Sequence, residues 1–163
     1  MTLRTVENTY VEMTQVVLPV FTNAIGTVFG GQIVSWIDIC GAVSAGRHAR
    51  APVVTASIDS VHFIAPVKQG QIVILKSQVN AVFKTSLEVG VVVLAENPLT
   101  GERYKACRAY CTFVALAENG KPMRLPLIEI KSEKDKIRAM EALTRRQMRL
   151  SARKDFKPAH ESR

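Results

Sequence analysis

Asp38 is the only charged side chain in residues 29–46, which read Phe-Gly-Gly-Gln-Ile-Val-Ser-Trp-Ile-Asp-Ile-Cys-Gly-Ala-Val-Ser-Ala-Gly. A helix apolar or small on every side is a buried helix, and a carboxylate inside one is costly unless it is paired or used. No basic residue lies nearby in sequence. The carboxylate therefore reads either as a buried acid held by neighbouring backbone or as a group kept for chemistry, a general base or a nucleophile.

Gly30 and Gly31 open the run. They leave backbone N–H groups unshielded at the positive end of the helix dipole, a site for a carbonyl oxygen or an anion. Asn23, just ahead of the helix, reads equally as a turn residue beside Gly26 and as a donor that holds a substrate carbonyl or a water. Asp38 lies one heptad beyond Gly31, roughly 10 Å along the axis. A reacting centre within about 3 Å of both groups must draw them from two copies of the helix, which predicts a dimer.

Other chemistries find little support. Cys40, Cys107 and Cys111 are odd in number and lack a C-x-x-C pair, which favours reduced thiols in a cytoplasmic compartment. Cys107 and Cys111 share one side of a strand and read as small buried residues. His48, His62 and His160 are too scattered for a zinc site or a histidine-based triad, so no metal is expected. The apolar run reaches the length threshold of a membrane span, but Gln32, Ser35, Asp38 and four glycines argue against one. The N-terminus lacks a charged start followed by an apolar core, so no signal peptide is expected.

The chain has 163 residues, 47% hydrophobic and 22% charged, which suits one domain with a real core. Its net charge of +8 is uneven: residues 129–163 hold 11 Lys/Arg against 6 Asp/Glu. An electropositive tail on a near-balanced body suits an anionic ligand such as a phosphate-bearing cofactor. Few aromatics and no reader motif argue against nucleic acid.

The elements that position these residues follow from pattern. Residues 9–18 read as a first strand ending at Pro19, and 19–28 as a loop that delivers Asn23 and Gly26. The helix follows, with Gly46, Arg47 and His48 as its stop. Residues 53–64 alternate as a half-buried strand, and 71–82, 85–95 and 103–117 as three more. Asn97 to Gly101 marks a hairpin and Glu118 to Pro122 a closing turn. The gaps are too short for parallel crossovers, so the four strands are expected as an antiparallel meander. One curved sheet then wraps the helix in an α+β fold. A sheet covers one side only, and a second protomer is the expected lid. Residues 131–155 read as a helix with Ile137, Met140, Leu143, Gln147 and Leu150 as its apolar stripe. Arg145, Arg146 and Arg149 form either a solvated basic end or a phosphate clamp. Residues 1–128 thus form the domain, 129–155 a basic helix, and the last eight residues a disordered tail.

Several motifs together carry a resemblance. Asn23-Ala-Ile-Gly26, Phe29-Gly-Gly31 and Trp36-Ile-Asp38 come first, then Val54-Thr-Ala-Ser-Ile-Asp-Ser-Val-His-Phe63 and Pro66-Val-Lys-Gln-Gly70. Phe83-Lys-Thr-Ser-Leu-Glu88, Thr100-Gly101, Thr112-Phe-Val-Ala115 and Arg145-Arg-Gln-Met-Arg149 continue the pattern. In these, residues 9–150 resemble the hotdog-fold acyl-CoA thioesterases of the cytosolic acyl-CoA hydrolase type. The resemblance implies a sheet wrapped around a central helix, with a C-terminal helical extension. It implies a dimer with a continuous sheet, assembling as a trimer of dimers. It also implies metal-independent hydrolysis of acyl-CoA to free acid and CoA, with no cofactor beyond the CoA of the substrate.

By position, Asp38 matches the family's catalytic acid, Asn23 its catalytic asparagine, and Gly31 with the following amide the helix-end donors. Ala56, Ser57 and Ile58 match a strand that lines the pantetheine. Lys84, Thr85, Ser86 and Leu87 match a second CoA segment, and one of Arg145 or Arg146 a phosphate contact. Two departures stand out: Phe83-Lys84 where relatives carry Gly-Arg, and Phe29 where a histidine often precedes the glycine pair. The chemistry agrees with the bottom-up reading, because thioester hydrolysis develops an oxyanion that fixed amides stabilise. Two other readings follow from the same residues. One is an acyl-thioester dehydratase or hydratase, which usually needs a histidine beside the acid and finds none in residues 23–46. The other is a non-catalytic acyl-CoA or nucleotide sensor bound through the basic tail.

Overall fold

The expected helix is present and longer than its sequence pattern. In the computed structural model, which describes residues 4–155, α1 spans Gly30–Ala49. Gly46 does not stop it. Arg47 and His48 continue the helix, and Arg50 ends it in the left-handed conformation at φ 54°, its N–H bonded to the Gly46 carbonyl at 2.8 Å.

Around α1 the chain places β1 (Arg4–Thr5), β2 (Val11–Val16), β3 (Val53–Phe63), β4 (Ile72–Val82), β5 (Ser86–Glu96), β6 (Arg103–Ala115) and β7 (Ile128–Glu129). The main sheet has five strands in the order β2-β4-β5-β6-β3, every pairing antiparallel. The expected α+β wrap is observed, but the meander covers only β4 to β6. β3 does not pair with β4; it leaves along the far edge beside β6. Pro66 and the turn at Gly70, φ 82°, carry the chain back across the sheet end. Short gaps had implied neighbouring strands, and this connector crosses an edge instead. β1 and β7 pair in parallel as a small separate sheet.

Strand alternation assigns each face. Leu75, Val79, Leu87, Val89, Val91, Cys111 and Phe113 belong to the core cluster shared with Ile33, Trp36, Ile37 and Cys40 of α1. Gly41 lets helix and sheet approach closely, since a Cβ there would meet the Phe113 ring at 3.1 Å. The opposite side of α1 is bare: Ile39 is 50% and Val43 44% exposed. β3 is bare too, with no residue fully buried along its 11 positions.

The C-terminal helix α2 spans Glu133–Asp155 and crosses the other face of the sheet. Ser132 caps it, accepting the Asp135 N–H at 3.1 Å and donating to the Asp135 carboxylate at 2.6 Å. Its packed face is not the expected stripe. Ile137, Met140, Leu143, Gln147 and Leu150 are exposed, while Ala142, Arg138, Arg145, Arg146 and Arg149 turn to the sheet. The reason lies in what the sheet offers there, since Glu88 and Asp59 are carboxylates that Arg145 and Arg149 reach and leucines do not, and Gln78 donates to Asp135 at 3.0 Å. The expected tail, residues 156–163, lies outside the described residues, as does His160. Among the described residues, no helix is long and apolar enough to cross a membrane.

Candidate active site

At the start of α1, Phe29 stands at the cap position without a side-chain bond, and no acid occupies the first turn. The Gln32 N–H turns back to the Phe29 carbonyl at 3.0 Å, which leaves the N–H groups of Gly30 and Gly31 as the open donors. The amide following Gly31 was the expected second donor. In this fold it bonds to the Phe29 carbonyl, and the Gly30 amide stands open beside that of Gly31. A Cβ on Gly31 would meet nothing within 4 Å, so packing within the chain does not require glycine there. Its absence of side chain keeps the approach to the amide clear.

Asn23 lies in the turn just before this helix end. Its Oδ1 accepts the N–H groups of Ile25 and Thr27, both at 3.1 Å, and its Nδ2 donates to the Thr27 hydroxyl at 2.9 Å. The turn role left open by the sequence is therefore observed. It leaves one Nδ2 hydrogen uncommitted, so the donor role is compatible with it.

Asp38 sits two turns further along α1, half-buried rather than enclosed, beside the bare stripe of Ile39 and Val43. The expected greasy surround is thus only half present in one chain. Its Oδ1 accepts the hydroxyl of Thr55 on β3 at 2.6 Å. Thr55 had no expected role beyond the polar side of its strand. The only signal in sequence was a hydroxyl two residues into a strand that follows the acid-bearing helix. Nearby thiols do not compete as nucleophiles. Burial, with the carboxylates of Asp38, Asp59 and Glu88 adding to it, pushes Cys111 up to about 12, and burial also raises Cys40 and Cys107.

Beside the helix start lies a cavity of about 380 Å³ lined by Gly30, Ile33, Phe63, Ile64, Pro66 and Val67 among others. Its walls are mostly apolar. It can take a hydrocarbon group whose carbonyl stays near the Gly30 and Gly31 amides.

The remaining expected contacts divide. Ala56 is exposed and Ser57 and Ile58 half-buried on the free edge strand, and the Ser57 hydroxyl donates to Asp59. Lys84 is exposed and Thr85 and Ser86 half-buried at the β4–β5 turn. Leu87 is not available: it is fully buried among the core residues, paired with Val82 and Phe113 on its two sides. Arg145 is likewise committed. Its Nε and a terminal nitrogen donate to the two oxygens of Glu88 at 3.1 and 2.7 Å, and its guanidinium lies 3.6 Å from the Tyr110 ring. Arg146 instead stacks 4.2 Å over Phe83 and donates to the Ser86 hydroxyl at 3.3 Å. Of the two arginines, it is the one placed beside Phe83 and Ser86 without a carboxylate partner among the described residues.

An α+β fold of this topology, with an acid on the central helix and open amides at its start, has known relatives. Residues 25–102 match the family described as Thioesterase superfamily. An acyl-CoA thioester hydrolase of Bacillus subtilis, YkhA, described as uncharacterised, is 44% identical over 119 residues, 73% of this chain and 69% of that one. Mouse acyl-coenzyme A thioesterase 11 is 40% identical over 142 residues, 87% of this chain but 24% of that one, so this chain spans about a quarter of its length. The crystal structure of an apo-hexameric acyl-CoA thioesterase superposes with a TM-score of 0.89 at 38% identity, covering 96% of this chain and all of that one. A Staphylococcus aureus acyl-CoA hydrolase solved with butyryl coenzyme A, coenzyme A and coenzyme A disulfide superposes at 0.88, with 32% identity and 94% of each chain covered. Alanine variants of that enzyme have been solved at an asparagine, an aspartate and a threonine. Those residues have the same spacing along their chain as Asn23, Asp38 and Thr55 have here. The chain belongs to the thioesterase superfamily, and its relatives are hotdog-fold acyl-CoA hydrolases.

Proposed function

We propose that the protein hydrolyses acyl-CoA thioesters to free fatty acid and CoA, with water as co-substrate and neither metal nor cofactor. The observation that carries this reading is Asp38, held by Thr55 on the uncovered side of a helix whose first amides stand open. Gly30 and Gly31 stabilise the oxyanion as it develops, which is typically worth a few kcal/mol per donor. Asp38 acts as general base on water or as nucleophile on the carbonyl carbon. Asn23 orients the water or the carbonyl. The acyl–sulfur bond breaks, the thiol leaves with a proton, and the hydroxyl of water ends on the acid.

Because Asp38 and the amides lie roughly 10 Å apart on one helix, the site takes Asp38 from one protomer and the helix start from its partner. The bare side of α1 and the unpaired edge of β3 support a dimer as the minimal active unit. The exposed Ile137, Met140, Leu143 and Leu150 of α2 support further association, as a trimer of dimers. Ala56, Ser57 and Ile58 line the pantetheine arm, and Lys84, Thr85, Ser86 and Arg146 meet the nucleotide end. The compartment that suits three buried, reduced thiols is the cytoplasm.

The decisive measurement is thiol release from acyl-CoA by Asp38→Asn, with circular dichroism as the fold control. Loss of turnover at unchanged fold is the expected result; near-full activity would defeat the assignment. Hydration of an enoyl-CoA with no thiol released would favour the hydratase reading instead.

A further inference from the structure

The face that α2 lays on the sheet carries four arginines, and three of them end on a carboxylate. Arg138 meets Asp135 at 2.8 Å, Arg145 meets Glu88 at 2.7 Å, and Arg149 meets Asp59. Arg146 has no carboxylate partner among the described residues. Its charge stands over the Phe83 ring beside the Ser86 hydroxyl.

The neighbouring residue is held far more firmly. Glu88 is fully buried and Arg145 grips it with two nitrogens. Asn80 donates to the same carboxylate at 3.1 Å. Asn80 is itself wedged over Gly90, where a Cβ would come within 2.8 Å of its side-chain amide. The Tyr110 ring underlies the guanidinium. A buried ion pair is weak evidence of stability, since well-packed apolar residues often serve as well; its best-attested use is to select one arrangement among several. A two-pronged bond to a planar guanidinium is directional, so a slip of α2 by one residue would break it. Such a slip would also turn Arg146 about 100° around the helix, away from Phe83 and Ser86.

We propose that Glu88, acting through Arg145, fixes the register of α2 on the sheet so that Arg146 is presented to the phosphate groups of the substrate's nucleotide end. Glu88, Asn80 and Arg145 are positioning residues, and the ligand chemistry is a phosphorylated nucleotide attached to the pantetheine arm. The proposal rests on the reading of residues 84–86 and Arg146 as the nucleotide contact.

The test compares one acyl group carried by CoA with the same group carried by pantetheine, which has no nucleotide phosphates. In Glu88→Gln, KM for acyl-CoA should rise about tenfold, the loss of one charge-assisted bond to phosphate, with kcat unchanged. Both constants for acyl-pantetheine should match the parent enzyme. Arg145→Lys keeps the charge but loses the fork, and it should show the same split; it decides the matter if Glu88→Gln does not fold. Equal impairment of both substrates, or an unchanged KM for acyl-CoA, would reduce the pair to a structural anchor and overturn the proposal. A parent enzyme with equal KM for the two substrates would overturn the nucleotide-contact reading itself, a different failure visible before any variant is made.

Discussion

One side-chain contact orients Asp38, the hydroxyl of Thr55. A carboxylate on a bare helix face rotates freely, whereas one that accepts a hydroxyl at 2.6 Å presents its other oxygen in a fixed direction. Hydrogen bonds to charged groups contribute about 1.5–3 kcal/mol, so Thr55→Val, which keeps shape and removes the donor, should lower kcat roughly ten- to a hundredfold. KM should change little, because the hydroxyl serves the acid and not the substrate; steady-state kinetics on one acyl-CoA checks both. At this scale the sequence was informative where one residue type was out of place. Asp38 in an apolar run and the glycine pair before it stood out on composition alone. Thr55 did not, because a threonine in a strand is ordinary, and only the fold brings β3 alongside the third turn of α1. Arg145 and Arg146 were indistinguishable for the same reason. Nothing in an Arg-Arg pair says which one faces a buried Glu88.

At the scale of elements, α1 and the strands were legible from periodicity and turn residues, and the errors fall where an element's neighbour decides. α2 shows this most clearly. An apolar stripe normally marks the buried face, yet here the packed face carries arginines because the outer sheet surface is polar. The end of α1 is another case. His48 extends the helix because its ring is wholly buried and its Nε2 donates to the Pro126 carbonyl at 2.9 Å, tying α1 to the segment that leads into β7. That bond needs a proton on Nε2, and Nδ1 has no partner among the described residues. Burial holds the imidazole below its ordinary value of 6.5; the Pro126 carbonyl opposes this and the Arg4 guanidinium adds to it. The unfolded chain therefore takes up a proton first as the solution is acidified. The contribution of His48 to stability is whole above about pH 6.5 and is lost as pH falls through 6.5 toward the folded value. Urea midpoints at pH 7.5 and 5.5 should fall further for the parent than for His48→Gln, which keeps a donor for Pro126 but does not titrate. Equal falls would show that the acid sensitivity lies elsewhere, in the carboxylates.

For the whole molecule, the strongest constraint comes from what one chain leaves uncovered. β3 exposes a free edge 11 residues long, and its sequence holds no proline and no lysine, two of the devices by which proteins keep such edges single. The adjoining surface of α1 adds Ile39 and Val43, and β3 itself adds Val54 at 45% exposure. An apolar patch continuous with an unpaired edge marks a contact surface, and the proposed dimer covers it symmetrically, edge to edge and helix to helix. In the proposed dimer the same pairing brings together Asp38 of one copy and the helix start of the other, so assembly and turnover are expected to fail together. Ile39→Asp places a charge at the centre of the patch and outside the fold's own core. Light scattering should then report a particle of half the parent's mass or less, circular dichroism an unchanged secondary structure, and the thiol assay a loss of CoA release. Mixing should separate the two roles of the surface. A dimer formed from Asp38→Asn and Gly31→Val chains carries one intact site, made of the second chain's Asp38 and the first chain's amides. Two inactive preparations, dissociated and reassociated together, should therefore recover about a quarter of the parent activity. No recovery at all would place both groups in a single protomer and refute the shared site.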